Sequence, residues 1–388
     1  MHGGCPVGTR YLEREREHLR HVLPGLEEFL AVTPLDELER PGSKALTAFR
    51  AAGGPGLVVP AEHGGRGADL LSAVRVQRAV GSRSPSLAVA TTMHHFSVAS
   101  LAEAAAASGG PEWMLLAAVA HDNLLLASGF AEGTTGQGIL SPALTARVEG
   151  EGADGKIWLS GAKKPCSLAR SMDLLTASVA LPGPEGGAPS LAVVLVPADA
   201  PGVSVRPFWK SPVLAGAESD EVVLEDVEVP PELVVRTGVT EDGRLDRLQT
   251  AGFVWFEALM TASYLGVASA LVERVLAVPK AGDAVRAEAA TAVHGAVLAL
   301  EGVARKAADG LHETVLADAL ACRYTAQLLI GRVAEQCVEA LGGMAFLSSG
   351  DIACLSSACR ALAFHPPARA RMATALAEHF TGRPLRIP

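Results

Sequence analysis

The sequence predicts a multidomain α+β protein with a helical N-terminal domain, a central antiparallel β domain and a C-terminal helical bundle. Apolar residues recur at helical spacing at both ends of the chain, whereas the middle consists of short β-branched runs broken by Gly, Pro and Asp. The 388 residues also exceed the roughly 250 to 300 that one hydrophobic core usually serves. We place the domains at 1–123, 124–232 and 233–388.

Each domain rests on recognisable segments. YLEREREHLRHVLPGLEEFL and LLSAVRVQRAVGS carry the three- and four-residue spacing of amphipathic helices near the N-terminus. The β domain is predicted from KIWLSG, LAVVLVP and EVVLEDVEVP, which are rich in Val and Ile. Helical spacing returns at about Arg247 in long apolar runs, and such helices usually pack as a bundle.

Composition excludes several classes of function. A net charge of -9 without a clustered basic face argues against a nucleic-acid partner. The six cysteines form no CxxC pair and lack zinc-site spacing, so no metal is expected. The start of the sequence has no apolar signal core, and the apolar runs are shorter than the roughly 20 residues of a membrane span. A cytoplasmic protein without a membrane partner is therefore predicted.

Five segments, in order along the chain, resemble the acyl-CoA dehydrogenase superfamily. They are GLVVPAEHGGRGADLL (Gly56 to Leu71), ASGFAEGTTGQG (Ala127 to Gly138), DGKIWLSGAKKPCSLARSMDLL (Asp154 to Leu175), ESDEVVLEDVEVP (Glu218 to Pro230) and EALGGMAF (Glu339 to Phe346). The resemblance implies the acyl-CoA dehydrogenase fold, in which the C-terminal domain is a four-helix bundle and FAD is bound between the domains. It also implies a homodimer or homotetramer, because the family's Gly-Gly segment reaches the flavin of a neighbouring subunit.

The same resemblance implies which residues contact the flavin. These positions lie in the two loops of the β domain and in the Gly-Gly segment: Ala131, Glu132, Thr134, Pro165, Cys166, Ser167, Glu339, Gly342 and Gly343. Ser167 stands where the family places a hydroxyl near flavin N5. The chain departs from the pattern at three of the positions, where the family's Thr, stacking aromatic and Gln are Ala131, Pro165 and Glu339.

The family's activity implies an FAD-dependent dehydrogenase that introduces a double bond into a short acyl thioester. The thioester partner would be acyl-CoA or an acyl carrier protein, and the electrons would leave to an external acceptor. The tail RALAFHPPARARMATALAEHFTGRPL resembles members of polyketide extender-unit pathways, including those that make an allylmalonyl unit. A specialised biosynthetic enzyme is therefore expected.

The catalytic base of such a dehydrogenase has two candidates. Glu257 is the only acid in the apolar stretch GFVWFEALMTASYLG, but Phe256 occupies the strict family register, and one residue rotates a helical side chain by about 100°. An unpaired buried carboxylate is costly, so Glu257 is either the base or part of a structural salt bridge. His365 is the rival, because a neutral imidazole can accept a proton near neutral pH.

His365 also leaves the function open. A histidine near this position resembles the flavin-dependent hydroxylases of the same superfamily, which would make the chain a two-component monooxygenase supplied with reduced flavin by a reductase. A degenerate relative that only binds a partner is the third possibility. For the substrate pocket we predict His94 and His95, which cap or line it, together with Phe256 and Phe364.

Overall fold

The computed structural model describes residues 10–388 except 109, 111, 134–139, 141, 150–155, 184–188 and 238–243. Its N-terminal part is helical, and the helices are α1 (Glu13–Val22), α2 (Leu26–Val32), α3 (Leu35–Leu38), α4 (Ala45–Ala51), α5 (Leu70–Arg83), α6 (Pro85–Ser108) and α7 (Glu112–Asp122). Asp69 caps α5 by accepting a hydrogen bond from the amide of Ser72, at an N–O distance of 2.7 Å. Pro85 begins α6, where its missing N–H costs no helical hydrogen bond.

The central part is one eight-stranded sheet. Its strands are β1 (Leu126–Gly129), β2 (Thr145–Glu149), β3 (Lys156–Cys166), β4 (Leu174–Leu181), β5 (Ser190–Pro197), β6 (Val203–Arg206), β7 (Asp220–Val229) and β8 (Val234–Arg236). They follow the order β6-β7-β3-β2-β4-β5-β8, with β1 paired to β4. Strand β4 is buried along most of its length because β1, β2 and β5 all pair with it.

The C-terminal part is again helical. Its helices are α8 (Arg247–Leu276), α9 (Asp283–Lys306), α10 (Glu313–Leu341), α11 (Gly343–Ser348), α12 (Gly350–Ala358) and α13 (Arg369–Phe380). Helix α8 is the central helix, since α5 and α6 from the N-terminal part and α9, α10 and α12 from the C-terminal part all pack against it. Between α12 and α13 runs a short connecting segment that includes a 3₁₀ turn at Ala361–Phe364.

Two glycines bring the backbones of α5 and α8 into direct contact. A Cβ atom added at Gly81 would lie 2.2 Å from the carbonyl oxygen of Ser263, and one added at Gly266 would lie 2.3 Å from that of Arg78. No Cβ atom fits at such distances, so both positions require glycine. The crossing fixes α8 against the N-terminal helices.

The structure confirms the predicted order of helical, β and helical parts, and with it the acyl-CoA dehydrogenase-like fold. The sheet is mixed, however, and not purely antiparallel. Strands β1 and β4 pair in parallel from Leu126–Leu174 to Gly129–Ala177, because β2 and β3 intervene and return the chain to its first direction. The division into domains at 1–123, 124–232 and 233–388 stays a proposal.

Helix α8 is long and apolar enough to cross a membrane by length and composition alone. Of its most apolar window, 94% is buried inside the protein, as expected for the core helix of a soluble globular fold. Its hydrophobicity therefore reflects its central position, where it is surrounded by other helices.

Candidate active site

A cavity of about 230 Å³ lies where α6, the sheet loops, α8 and the segment after α12 meet. Helix α6 contributes one stripe of residues, including Met93, Phe96 and Ser100, whose spacing places them on the same helix face. Helix α8 contributes its first turns, including Gly252 and Phe256. The cavity is thus enclosed by all three parts of the chain.

The walls of the cavity are mostly apolar and aromatic. The ring of Phe96 lies 5.4 Å from that of Phe256 and 5.8 Å from that of Phe130, measured between ring centroids. The ring of Phe256 lies 6.4 Å from the imidazole of His365. No Asp, Glu, Lys or Arg is found among the described residues that line the cavity. A bound molecule would therefore meet apolar surface, hydroxyl groups, one imidazole and the side-chain amide of Gln249.

Three of the hydroxyl groups that line the cavity, those of Ser97, Ser100 and Thr176, donate their hydrogens to backbone carbonyl oxygens. Ser100 Oγ donates to the carbonyl oxygen of Phe96 at 2.9 Å, and Thr176 Oγ1 donates to that of Ala127 at 2.9 Å. Ser97 Oγ lies 2.9 Å from the carbonyl of Met93 and 3.0 Å from Thr176 Oγ1. Because their hydrogens point to protein oxygens, these hydroxyls offer a bound molecule mainly lone pairs.

The sheet side of the cavity contains three of the predicted flavin contacts. Ala131, Pro165 and Ser167 line it, together with Ser219. The Oγ atoms of Ser167 and Ser219 are 2.9 Å apart and hydrogen-bonded to each other. The loop after β1 and the end of β3 therefore meet at one wall, as the resemblance implied.

Two further predicted flavin contacts, Cys166 and Glu132, do not line this cavity. Cys166 is fully buried behind the wall, where burial raises the pKa of its thiol to about 12. Glu132 forms an ion pair with Lys163, whose ammonium also donates to Ser178 Oγ at 3.2 Å. Burial lowers the pKa of Lys163, and the carboxylate of Glu132 opposes this shift. These groups support the flavin-side loops from within the protein.

The predicted contacts of the Gly-Gly segment lie elsewhere. Gly342 ends α10 with a φ of +80°, and Glu339 and Gly343 are exposed. None of the three lines the cavity. Thr134 lies outside the described residues, so its predicted contact stays a prediction.

His365 lines the cavity, as predicted, and is held there by a tyrosine. The hydroxyl of Tyr264, on α8, lies 2.8 Å from His365 Nε2. Burial, together with the positive charge of Arg323, lowers the pKa of His365 to about 3. The imidazole is therefore neutral at physiological pH. Phe256 and Phe364 also line the cavity, and the side chain of Phe364 is largely exposed to solvent.

A buried ion pair anchors the backbone around His365. The guanidinium of Arg323, on α10, donates from Nη1 to Glu257 Oε2 at 2.5 Å and to the carbonyl oxygen of Pro366 at 3.1 Å. Its Nη2 donates to the carbonyl oxygens of His365 and Leu362. Both charged side chains are almost completely buried. Arg323 thus connects α8 and α10 to the segment that positions the imidazole.

The structure corrects the position expected for Glu257. Its carboxylate faces Arg323, is completely buried and does not line the cavity. Burial raises the pKa of Glu257, and the adjacent guanidinium opposes that shift. The carboxylate consequently has no contact through which it could take a proton from a molecule in the cavity. Phe256, one residue earlier on the helix, faces the cavity instead.

The predicted pocket histidines are also corrected. His94 and His95 are completely buried and neither lines the cavity. His94 Nδ1 accepts a hydrogen bond from the amide of Leu126 at 3.1 Å, so Nε2 carries the proton and donates to the carbonyl of Pro55 at 2.9 Å. His95 packs against the ring of Phe49, with 5.7 Å between centroids. Both residues belong to the core between α6 and β1.

Sequence reasoning missed two residues of the site, Tyr264 and Arg323. Arg323 is an arginine inside the otherwise apolar run ALACRYTAQLLI, and such a residue needs a buried partner. Tyr264 lies seven residues after Glu257, which places both on the same face of α8. The sequence contains both features, but it does not reveal the partners. Glu257 lies 66 residues from Arg323, and His365 lies 101 residues from Tyr264.

The chain is similar to one curated protein over nearly its whole length. It is 49% identical over 382 residues to "Isobutylamine N-hydroxylase" from Streptomyces viridifaciens, covering 97% of this chain and 100% of that protein. No family model matches the sequence.

Solved structures agree with the fold. FMN-bound TdsC from Paenibacillus sp. A11-2 has a TM-score of 0.79 at 20% identity, with 98% of each chain covered. Nitrososynthase from Micromonospora carbonacea var. africana has a TM-score of 0.78 at 20% identity, covering 97% of this chain and 98% of that one. At this level of identity the similarity establishes the architecture.

The predicted dehydrogenase function is wrong. The curated relative is an N-hydroxylase, which favours the oxygenase alternative over the removal of hydrogen from a thioester. The acyl-thioester substrate and the polyketide pathway depended on the dehydrogenase function and lose their support. The broader prediction of an oxidoreductase is confirmed.

Proposed function

The chain belongs to the isobutylamine N-hydroxylase family, and on that premise we propose that it is a flavin-dependent N-oxygenase that converts a small aliphatic amine into its hydroxylamine. The observation that carries the proposal is the cavity itself, which is apolar, contains hydroxyl lone pairs and has no charged side chain among its described lining residues. Such a site suits a short alkyl chain ending in one uncharged polar group.

The cavity favours the free base of the amine. An ammonium ion placed there would lose its hydration without gaining a carboxylate partner from the described lining, which disfavours the charged form. The uncharged amine has N–H donors that match the lone pairs of Ser97 and Ser100, and Phe96 and Phe256 cover its alkyl part. Its nitrogen lone pair is then free to accept oxygen.

The sheet side of the cavity fits a flavin ring. Ser167 and Ser219 offer hydroxyl groups to its polar edge, and Ala131 and Pro165 provide apolar surface. When bound and reduced, the flavin supplies two electrons and activates O2, so that amine, O2 and reduced flavin give hydroxylamine, water and oxidised flavin. The chain's own residues hold the amine, exclude water and place His365 beside the reaction.

The cavity that accommodates the flavin ring does not indicate how the phosphate and nucleotide part of the cofactor is bound. No Lys or Arg occurs among its described lining residues, so a phosphate would be held outside it. We retain FAD as the prediction, with Glu339, Gly342 and Gly343 as its adenine-side contacts. FMN is the alternative, because TdsC was solved with FMN bound. Comparing the dissociation constants of both oxidised flavins would distinguish them.

A separate reductase replaces the external electron acceptor of our first hypothesis. We propose that it delivers reduced flavin to a homodimer or homotetramer of this chain in the cytoplasm. This arrangement predicts that the purified protein loses much of its flavin, and its yellow colour, during gel filtration.

The direct test is oxygen transfer to an amine. Purified protein, a flavin reductase with its nicotinamide donor, and isobutylamine are incubated under ¹⁸O2, and the product is examined by mass spectrometry. We expect a hydroxylamine that carries one ¹⁸O atom and does not form anaerobically. Valine, which is isobutylamine with a carboxylate added to the carbon that bears the nitrogen, is the matched control, and this carboxylate should prevent turnover. The absence of oxygenated product across a panel of short alkylamines would refute the proposal.

A further inference from the structure

We propose that Tyr264 holds His365 as the tautomer protonated at Nδ1, so that the imidazole acts as a hydrogen-bond donor in the cavity. The tautomer is a property of the folded protein, whereas its use in N-oxygenation rests on the proposed function. Tyr264 would thus be a positioning residue that acts through His365.

The argument begins with the hydroxyl of Tyr264. Its side chain is completely buried, and its hydrogen-bond partner among the described residues is His365 Nε2, at 2.8 Å. If Nε2 carried the proton and donated it, the tyrosine hydrogen would be left without an acceptor in the core. A buried donor without a partner is costly. The hydroxyl therefore donates to Nε2, which must be unprotonated to accept.

The proton of the neutral imidazole then belongs on Nδ1. The ring stays neutral because it is desolvated and because the guanidinium of Arg323 lies close to it, which together lower its pKa to about 3. Arg323 is itself paired with Glu257, and its guanidinium lies 5.6 Å from the centre of the Tyr324 ring. With Nε2 occupied by Tyr264, Nδ1 is the ring nitrogen available to a bound molecule.

The surrounding contacts keep this donor in place. Arg323 binds the carbonyl oxygens of Leu362, His365 and Pro366. The hydroxyl of Tyr324 donates to the carbonyl oxygen of Pro367 at 2.8 Å. A pre-positioned N–H in a water-poor cavity can stabilise negative charge that develops on oxygen during O–O cleavage. His365 is accordingly suited to donate a hydrogen bond, whereas its low pKa makes it a poor base.

The test is a measurement of the tautomer. The complete protein, saturated with oxidised flavin and labelled with ¹⁵N in its histidine rings, is examined by magic-angle-spinning NMR near neutral pH. Comparison with His365→Gln identifies the signals of His365 among the 11 histidines. We expect the form protonated at Nδ1 to predominate by roughly fivefold to tenfold, as loss of one buried hydrogen bond implies.

Two phenylalanine variants sharpen the result. Tyr264→Phe should abolish this preference and admit the form protonated at Nε2. Tyr324→Phe removes a hydroxyl that binds the backbone of the same segment, at Pro367, without contacting the imidazole, and it should leave the tautomer unchanged. Predominance of the Nε2–H form in the wild type would overturn the inference, and this result needs no variant to fold. A predominant Nδ1–H form that persists in Tyr264→Phe would overturn the role of Tyr264.

The proposed function and the proposed tautomer can be refuted independently of each other. If the wild type shows the Nδ1–H form but oxygenates no amine, the proposed function is wrong and the tautomer stands. If amines are oxygenated and the Nε2–H form predominates, the inference about Tyr264 is wrong and the function stands.

Discussion

Two histidine regions of this protein have the same charge state but different surroundings. His94 and His95 lie in the core, where His94 is held by backbone groups of Leu126 and Pro55 and His95 by ring packing. His365 lies at the cavity, on a segment anchored by side chains of α8 and α10. Burial keeps all three imidazoles neutral. The comparison teaches that a low pKa alone does not identify a reactive histidine, whereas access to a cavity does.

The largest expected effect comes from breaking the anchor of the His365 segment. Arg323→Met leaves the carboxylate of Glu257 buried without a partner, so the free energy of unfolding should fall by about 3 to 5 kcal/mol. Urea denaturation measures the loss. Arg305→Met is the control, because Arg305 is half-exposed in its pair with Glu301 and should cost less than about 1 kcal/mol. Equal losses in both variants would contradict the role given to Arg323.

The second prediction is that a substitution at the cavity histidine, His365, lowers enzymatic activity. His365→Gln should lower the rate of hydroxylamine formation by about 100-fold, because the cavity loses its imidazole N–H. The midpoint of urea unfolding should change little, since the amide oxygen of glutamine can replace Nε2 as the acceptor of the hydrogen bond from Tyr264. His121→Gln, at an exposed position on α7, is the matched control and should retain full activity. A His365→Gln enzyme with normal turnover would remove His365 from the mechanism.

The third prediction concerns pH. The pKa values of His94 and His95 in the folded protein lie below the 6.5 of an ordinary histidine, about 4 for His94 and well below 6.5 for His95. Below pH 6.5 the unfolded chain therefore binds more protons, and stability falls as the pH decreases. Each imidazole should contribute roughly 1 kcal/mol per pH unit between pH 6 and 4.5. Urea midpoints across this range test it, and His95→Leu should show a shallower slope.

The smallest expected effect is that of His95→Leu at pH 7.5. Both ring nitrogens of His95 are buried without a hydrogen-bond partner among the described residues. Replacing them with apolar atoms of similar size should leave stability unchanged or raise it by up to about 1 kcal/mol. The same measurement on His94→Leu should show a loss, because the amide of Leu126 loses its acceptor. A larger loss of unfolding free energy in His95→Leu than in His94→Leu would contradict the conclusion that only His94 makes stabilising hydrogen bonds.

Local patterns predicted the fold because helical spacing and β-branched runs are properties of neighbouring residues. They also placed Phe256, Phe364 and His365 correctly at the cavity. The role of Glu257 could not be predicted in the same way. One residue of helix rotation separates the cavity-facing Phe256 from the core-facing Glu257, and the partner that decides the matter, Arg323, lies on another helix.

The prediction that His94 and His95 cap or line the pocket was wrong for a related reason. TTMHHFSVAS shows two polar rings on a helix, but it does not show that β1 and Pro55 meet them from the other side. The parallel pairing of β1 with β4 depends likewise on the path of the intervening chain. Sequence patterns define which face of an element is apolar, and only the packing of distant elements defines what covers it.

The glycine crossing of α5 and α8 limits how the proposed preference for particular amines can evolve. Phe256 at the cavity and Tyr264 behind His365 are eight residues apart on one helix, about 12 Å along its axis. Because Gly81 and Gly266 leave no room for α8 to slide or turn, that separation is constant. A relative that accepts a bulkier or slimmer amine would therefore acquire its preference through side chains of α6 or the sheet loops, while the spacing between pocket and hydrogen-bond donor is inherited unchanged.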